Sequence, residues 1–239
     1  MYPTRMAFAV AALAGIMVAA SPAGAYEGAP VAAGGTISGA TTFLGKVTPP
    51  ALVKVDKDAG VCGKTPKHDE SMIVSATKGL KNVVVFIEKI EAGKPIQAGS
   101  AVLANIECRY EPHVLAFVVG TELAVSNSDP VLHNTHIKLP RSDVFNYGLP
   151  TKGQVIKKRI RRKGLMKVGC DAGHTWMQAW IAVFDHPYFA ITDAAGHYQI
   201  GDVPPGRYTL VFWHEKLGRK TKVVEVAAKA KIDASVAWK

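Results

Sequence analysis

Short segments of alternating apolar and polar residues recur along most of the chain, and helical periodicity is scarce. Gly, Pro and Asp clusters separate these segments, as in Thr48-Pro-Pro50 and Val203-Pro-Pro-Gly206. Alternation with a period of two predicts strands that bury one face. The chain is therefore predicted to be all-β, with antiparallel sandwich architecture. The predicted strands are 35–45, 82–88, 113–118, 123–127, 165–170, 178–184, 197–200, 208–214 and 222–226. Residues 89–104 fit either a short helix or a linker.

The first 25 residues have the pattern of a secretory signal peptide. Arg5 supplies the positive charge, an uncharged apolar stretch covers 7–20, and Ala23-Gly24-Ala25 is a small-residue cleavage site. The apolar stretch is too short for a membrane span, and no later segment is long and apolar enough for one. The mature protein is therefore expected in the periplasm, without stable membrane insertion.

The formal net charge is +10, and much of it lies in the basic segment, residues 157–163. Outside the cytoplasm we expect anionic protein, lipid or polysaccharide partners rather than nucleic acid. The plainer alternative is a solvated strand face with Ile160 as its inward residue.

The three cysteines suit an oxidising compartment, in which two can pair and one remains. Cys62 and Cys108 both lie in polar, loop-like contexts, so we expect these two to form the disulfide. Cys170 is then the remaining thiol. An unpaired thiol in such a compartment needs protection, and a bound metal provides it.

Cys170 belongs to a set of residues with metal-ligating chemistry. His174 and Met177 follow it closely, and His133 and His136 lie upstream. Two imidazoles, a thiolate and a weak axial thioether suit a mononuclear copper. Cys170 ends an apolar predicted strand, and the Asp-Ala-Gly sequence after it lets the loop present His174 and Met177 on one side.

Several motifs in residues 112–183 resemble the cupredoxin family, in its plastocyanin-like and methylamine-utilization-type periplasmic forms. They are Glu111-Pro-His-Val114, the stretches 120–127 and 129–134, Phe145-Asn-Tyr-Gly148, and the stretch 170–177. The resemblance implies a Greek-key sandwich that binds copper through His133, Cys170, His174 and Met177. Three residues separate Cys170 from His174, whereas the commonest family spacing is two.

Other side chains have weaker claims to the site. Asn134 is expected to hydrogen-bond to the cysteine loop and to hold the two loops in register. His136 and His113 are additional candidate ligands, although His133 and His136 point to opposite faces of an extended segment. His136, His186 and His214 together could form a second metal site. The alternative for each is an ordinary hydrogen-bonded histidine.

The end of the chain resembles the carboxypeptidase regulatory-like, or transthyretin-like, β-sandwich module. The resemblance rests on residues 192–210, which contain two turns that each lead into a strand. Residues 36–39 and 82–86 look like earlier strands of the same module. The predicted organisation is a β segment over 26–104 that contributes strands to the module, a cupredoxin-like copper domain over 105–184, and the module over 185–239.

Three functions remain open at this point. One is one-electron transfer through copper, with an acidic periplasmic redox protein such as a c-type cytochrome or dehydrogenase as partner. Another is copper storage or delivery. The third is a metal-free sandwich that binds surfaces or carbohydrate. We do not expect an enzyme, because the chain has no recognisable Ser-His-Asp motif, no suitably spaced pair of carboxylates and no phosphate-binding Gly loop.

Overall fold

A computed structural model describes residues 25–239, so the predicted signal peptide lies outside the described residues except for Ala25. Nearly all regular structure is β, and one short helix, α1 (Ala59–Cys62), occurs in the described part. The strands are β1 (Glu27–Gly28), β2 (Gly35–Phe43), β3 (Val84–Ile87), β4 (Ala92–Gly93), β5 (Ser100–Ile106), β6 (Arg109–Glu111), β7 (Val114–Val118), β8 (Glu122–Asn127), β9 (His133–Leu139), β10 (Ser142–Leu149), β11 (Val155–Arg159), β12 (Gly164–Gly169), β13 (Gln178–Phe184), β14 (Phe189–Ile191), β15 (His197–Val203), β16 (Gly206–His214), β17 (Gly218–Val226), β18 (Lys231–Asp233) and β19 (Val236–Trp238).

One half of the molecule, which we call the central half, is a sandwich of a five-stranded sheet, β10-β9-β12-β13-β7, and a four-stranded sheet, β11-β8-β5-β6. Inward residues of both sheets form its core, among them Leu103, Val125, Ile137 and Val168. The burial of β8 alternates residue by residue, as expected for a strand with one wet face.

The other half, the terminal half, combines sheet β14-β3-β16-β17 with the sheet in which β15, β18 and β19 pair with β2. Its apolar core includes Ile37, Val85 and Phe212. The early strands β2 and β3 thus pair with strands from the end of the chain. The central half is inserted in the sequence between β3 and β14. A third cluster, which includes Val84, Val114 and Phe184, joins the two halves. The all-β sandwich prediction is confirmed, but the sheets are mixed and not purely antiparallel, because β5 pairs parallel with β8 and β7 pairs parallel with β13.

Residues 89–104 and the predicted domain boundary are among the features that differ from the sequence-based expectations. Residues 89–104 form no helix; they contain β4 and most of β5. The predicted domain boundary between 104 and 105 falls inside β5, whose Leu103 is buried in the central core. Strand β5 is hard to recognise in the sequence because the apolar Val102 is 56% exposed, which interrupts the alternation of buried apolar and exposed polar residues.

The basic segment begins within β11, an edge strand of the four-stranded sheet, and extends past its end. Ile160 is buried, whereas the Lys and Arg side chains on either side of it are exposed. Charged side chains on an edge strand also discourage pairing with other chains. Among the described residues, no helix is long and apolar enough to span a membrane.

Candidate metal centre

Two neighbouring loops bring the predicted ligands together. Strands β9 and β12 are antiparallel, with Gly169 opposite His136, so the end of β12 lies beside the start of β9. His133 is the first residue of β9, and Cys170 follows β12 directly. The loop after Cys170 turns at Gly173, which has φ +94°, a value that glycine adopts without strain.

Three ligand atoms converge at this point. The Nδ1 atoms of His133 and His174 are 3.1 Å apart, and the Sγ of Cys170 lies 3.6 Å from Nδ1 of His174. All three side chains are buried. Bonds of about 2.0 Å to nitrogen and about 2.3 Å to sulfur place such ligand atoms about 3.1–3.8 Å apart around one metal. The observed separations agree with a single metal ion held by these residues.

Met177 is buried in the same core cluster as Cys170. Its backbone amide donates to the carbonyl of His174 at 2.9 Å, which closes the loop that carries both residues. These contacts place Met177 at the end of the loop that carries Cys170 and His174.

Carboxylates hold the outer nitrogens of both histidines. Nε2 of His133 lies 2.9 Å from Asp129 Oδ2, and Nε2 of His174 lies 2.8 Å from Asp58 Oδ2. An ionised carboxylate only accepts hydrogen bonds, so each Nε2 carries the proton and each Nδ1 presents a lone pair. Two lone pairs 3.1 Å apart and out of contact with water are satisfied by a metal cation between them or by a proton shared between them. The donor set therefore fits a soft-to-borderline metal such as copper.

Electrostatics around His133 favour the neutral, metal-binding form. Burial lowers the pKa of this imidazole, although the hydrogen bond to Asp129 acts in the opposite direction. A neutral imidazole is the form that ligates metals.

Asp129 has a second task. Its two oxygens accept the backbone amides of Glu107 and Cys108 at 2.9 and 2.8 Å. Both of these residues have positive φ in the tight turn between β5 and β6. Asp129 therefore ties the orientation of His133 to this turn.

The cysteine sulfur has its own support. The backbone amide of Asn134 donates to Sγ of Cys170 at 3.3 Å, and Oδ1 of Asn134 accepts the amide of Asp171 at 3.2 Å. Asn134 thus bridges the two loops, as the sequence analysis expects. Cys62 and Cys108 form a disulfide, and Cys170 is a free, buried thiol.

The additional candidate ligands lie elsewhere. His136 contacts Asp171 through Nδ1 at 2.6 Å and Asp143 through Nε2 at 2.8 Å, so both of its nitrogens are occupied. His136 is buried, and these two carboxylates cover it. His113 pairs through Nε2 with Glu215, a residue of the terminal half.

Within residues 25–239, two groups of His, Cys and carboxylate side chains are close enough to hold a metal. One is the site above. The other, Cys108 with Asp129 and His133, shares His133 with it and contains a disulfide cysteine. Neither group includes His136, His186 or His214, so the structure does not gather these three into a second site.

Sequence reasoning missed Asp129 and Asp58 as partners of the ligands. Asp129 lies within the stretch considered for the site, four residues before His133, and this proximity was a usable signal. Asp58 has no such signal, because it lies 116 residues before His174 in the chain.

Comparison with known proteins locates two partial similarities. The family model described as polysaccharide lyase family 4, domain II, matches residues 166–234. This is not the carboxypeptidase regulatory-like family predicted for the end of the chain, and it extends into β12 and β13 of the central half. The comparison with curated proteins found no match.

Solved structures include several with partial similarity. A purple cupredoxin from Nitrosopumilus maritimus is 22% identical, with a TM-score of 0.30, over 35% of this chain and 99% of its own. The M98A mutant of amicyanin in its Cu(I) form is 20% identical, with a TM-score of 0.31, over 36% of this chain and 82% of its own. A copper-containing nitrite reductase from Thermus scotoductus is 18% identical, with a TM-score of 0.31, over 41% of this chain and 24% of its own. These similarities concern part of the fold, and the chemistry rests on the side chains described above.

Proposed function

We propose that the mature protein is a periplasmic copper protein that transfers single electrons through one site formed by His133, Cys170, His174 and Met177. The observation that carries the proposal is the convergence of two Nδ1 atoms and one thiol sulfur, with both Nε2 atoms held by carboxylates. Copper bound there would supply reversible one-electron chemistry.

The surrounding residues would keep the ligand positions nearly constant between oxidation states. Asp129 and Asp58 orient the imidazoles, and Asn134 donates a backbone hydrogen bond to the Cys170 sulfur. Hydrogen bonds to the sulfur and the identity of the axial ligand tune the reduction potential of such sites. Burial of all three converging side chains excludes water from the site. These features favour fast electron transfer with little rearrangement.

The proposed location and partner rest on sequence features and charge. The signal-peptide pattern and the Cys62–Cys108 disulfide suit an oxidising compartment outside the cytoplasm. The exposed basic segment would steer an acidic redox protein, such as a c-type cytochrome or dehydrogenase, toward the central half. In this proposal the protein is a carrier and not an enzyme.

Spectroscopy of the signal-free protein tests the copper site. After loading with Cu(II), we expect a strong sulfur-to-copper absorption band and an electron paramagnetic resonance signal with thiolate character. Cys170→Ser should lose the band. His136→Gln is the matched control, because His136 lies beside the site without joining it, and it should keep the band. A colourless wild-type protein, or a band that survives in Cys170→Ser, would contradict the proposal.

The family-model match favours a second candidate function for part of the molecule. Residues 166–234 are similar to a domain of a polysaccharide lyase family, and the exposed basic segment would suit an anionic polysaccharide. Titration calorimetry with neutral and acidic polysaccharides tests this role. Saturable binding that persists in metal-free Cys170→Ser would support carbohydrate binding, whereas no heat from either class would exclude it.

A further inference from the structure

A loop from outside the central half covers the metal site. We call residues 51–69 the cap. Its ends are joined by backbone hydrogen bonds from Val53 to the carbonyl of Lys67 at 2.8 Å and from Asp69 to the carbonyl of Ala51 at 2.9 Å. Compact loops with paired ends act as units, and they frequently carry function. The cap connects β2 with β3, which are both strands of the terminal half.

The tip of the cap contacts the candidate ligand His174 directly. Asp58 accepts from Nε2 of His174 at 2.8 Å, and the Sγ of Cys62 lies 3.9 Å from the same nitrogen. Val55 and Val61 pack against the central core. His174 is 0% exposed. The cap therefore closes the side of the site on which His174 would otherwise meet solvent.

The position of Asp58 is held by its backbone. Its φ of +49° and ψ of +39° lie in the left-handed region, which Asp tolerates better than most residues. No side-chain bond from Asp58 caps the helix that follows. Its carboxylate therefore bonds His174 instead of capping the helix.

Besides the contacts of Asp58, Val55 and Val61, a disulfide and polar contacts hold the cap closed. The disulfide ties Cys62 to Cys108 in the central half. Thr65 donates to Glu107 at 3.2 Å, and Asp69 pairs with Lys216 at 2.8 Å. The last two contacts are solvent-exposed, and exposed polar contacts of this kind each contribute about 1 kcal/mol or less. Leu52 is 70% exposed and adds little burial. The disulfide, whose two half-cystines are fully buried, is the covalent attachment, and the packing of Val55 and Val61 adds to it.

We propose that the cap is a thiol-controlled gate for metal exchange, in which Asp58 is the positioning residue and the Cys62–Cys108 disulfide keeps the gate closed. The inference rests on the proposed copper site. A dithiol reductant would supply two electrons and two protons. The Cys62–Cys108 bond breaks, two thiols form, and the two sulfurs of the reductant become a disulfide. The freed tip can then leave His174 and open a path for the metal.

The gate separates two demands on the site. In the oxidised state the metal is retained while electrons pass. In the reduced state the same ligands become reachable by a metal donor or acceptor. Asp58 links the two states, because moving the tip also removes the carboxylate that orients His174.

Chelator extraction tests the gate. Full-length mature protein is loaded with Cu(II), its absorption band is recorded, and the copper is then reduced with ascorbate, which leaves disulfides intact. Excess bathocuproine disulfonate then removes Cu(I), and the rate is followed by absorbance. We expect extraction to be about tenfold or more faster in Cys62→Ser/Cys108→Ser than in wild type, and several-fold faster in Asp58→Asn.

Two controls keep the result interpretable. Asp56→Asn makes the same chemical change at an exposed cap residue and should match wild type. Wild type that is first loaded and reduced with ascorbate, and then opened with a phosphine and desalted without air, should behave like the double serine variant, without any substitution. Thermal unfolding of each metal-free protein shows whether it is folded.

The outcomes separate this inference from the copper proposal. Absence of the band in oxidised wild type would overturn both. A normal band together with equal extraction rates in folded wild type, Asp58→Asn and the double serine variant would overturn the gate alone. Faster extraction in Asp56→Asn as well would also overturn it, because the effect would then not depend on contact with His174.

Discussion

The buried histidines of the terminal half differ from one pair in the central half, His133 and His174. In the terminal half, Nδ1 of His186 accepts the amide of Tyr188 at 3.2 Å, and Nδ1 of His214 accepts that of Lys216 at 3.3 Å. In the central half, the Nδ1 atoms of His133 and His174 face each other. When Nδ1 of a buried histidine accepts a backbone amide, its hydrogen-bonding capacity is satisfied without a ligand. A pair of facing acceptors lacks a partner unless a cation or a proton lies between them.

The tyrosines of the terminal half follow the same rule as its histidines. The hydroxyls of Tyr188, Tyr198 and Tyr208 donate to the carbonyls of Asp202, Ala234 and Pro204 at 3.1, 2.8 and 3.0 Å. Polar groups in that core serve the scaffold. The contrast predicts that substitutions in the terminal half change stability without changing the metal centre.

The largest expected effect comes from Phe212→Ala in the terminal core. Phe212 is fully buried, and loss of such a ring leaves a cavity that costs about 3–5 kcal/mol of the free energy of unfolding. Urea denaturation measures the loss, and the copper band of the folded protein should keep its wavelength. Phe212→Leu is the milder control. A shifted band would show that the halves are less independent than the contrast implies.

The next effect is expected from Asp129→Ala in the central half. The change leaves two backbone amides and Nε2 of His133 without their acceptor, which costs about 2–3 kcal/mol in the metal-free protein. Metal affinity should fall about 10–100-fold. Denaturation and competition titration measure the two effects. Asp143→Asn, which alters the exposed partner of His136, should change neither; equal losses in both variants would remove the special role of Asp129.

Acid sensitivity should come from His214. Burial lowers its pKa from 6.5 to about 4, with Glu215 opposing the shift and His113 and Lys216 adding to it. Between these pH values the unfolded chain binds the proton and the folded protein does not, so stability falls as pH drops through this window. The loss attributable to His214 is about 1–3 kcal/mol. Denaturation at several pH values should show a shallower decline for His214→Gln, and an unchanged slope would contradict this assignment.

The smallest effect on stability is expected from Arg159→Glu/Arg161→Glu in the basic segment. Both side chains are exposed, so stability should change by about 0.5 kcal/mol or less. Oxidation of the reduced copper protein by ferricyanide should slow at low salt, and oxidation by a cationic cobalt complex should accelerate.

Lys229→Glu/Lys231→Glu makes the same change in net charge near β18 and is the matched control. If both double variants respond alike, net charge acts rather than the basic segment.

The sequence predicted the strands whose surroundings are simple. The regular alternation of β8 and the apolar run of β13 are unambiguous, and the Cys62–Cys108 pairing followed from context. Strand β9 was not predicted, because three of its four buried positions hold His133, Thr135 and His136, which breaks the apolar pattern of an ordinary strand. The polar residues of the candidate site are therefore the reason that the strand pattern of β9 was not recognised.

Contacts between distant parts of the chain explain the remaining gaps. The motif spacing around Cys170 was sufficient to identify candidate ligands, but Asp58 reaches His174 only through the folded path of the cap. The convergence of the cap, the β5–β6 turn and the loop after β12 depends on packing of both sheets. Local pattern carries no information on such convergence.

The chain path has a practical consequence for dissecting the molecule. Strands β3 and β14 are adjacent, with Phe86 opposite Phe189, so the chain leaves and re-enters the terminal half at neighbouring points. An excised central segment would retain every proposed copper ligand, yet it would lack Asp58 and leave Cys108 without its disulfide partner. Cutting at the border of the central segment would therefore yield a fragment with the proposed ligands but without Asp58 and Cys62. In the proposed function, the ligands and the residues that would retain the metal lie on opposite sides of that border.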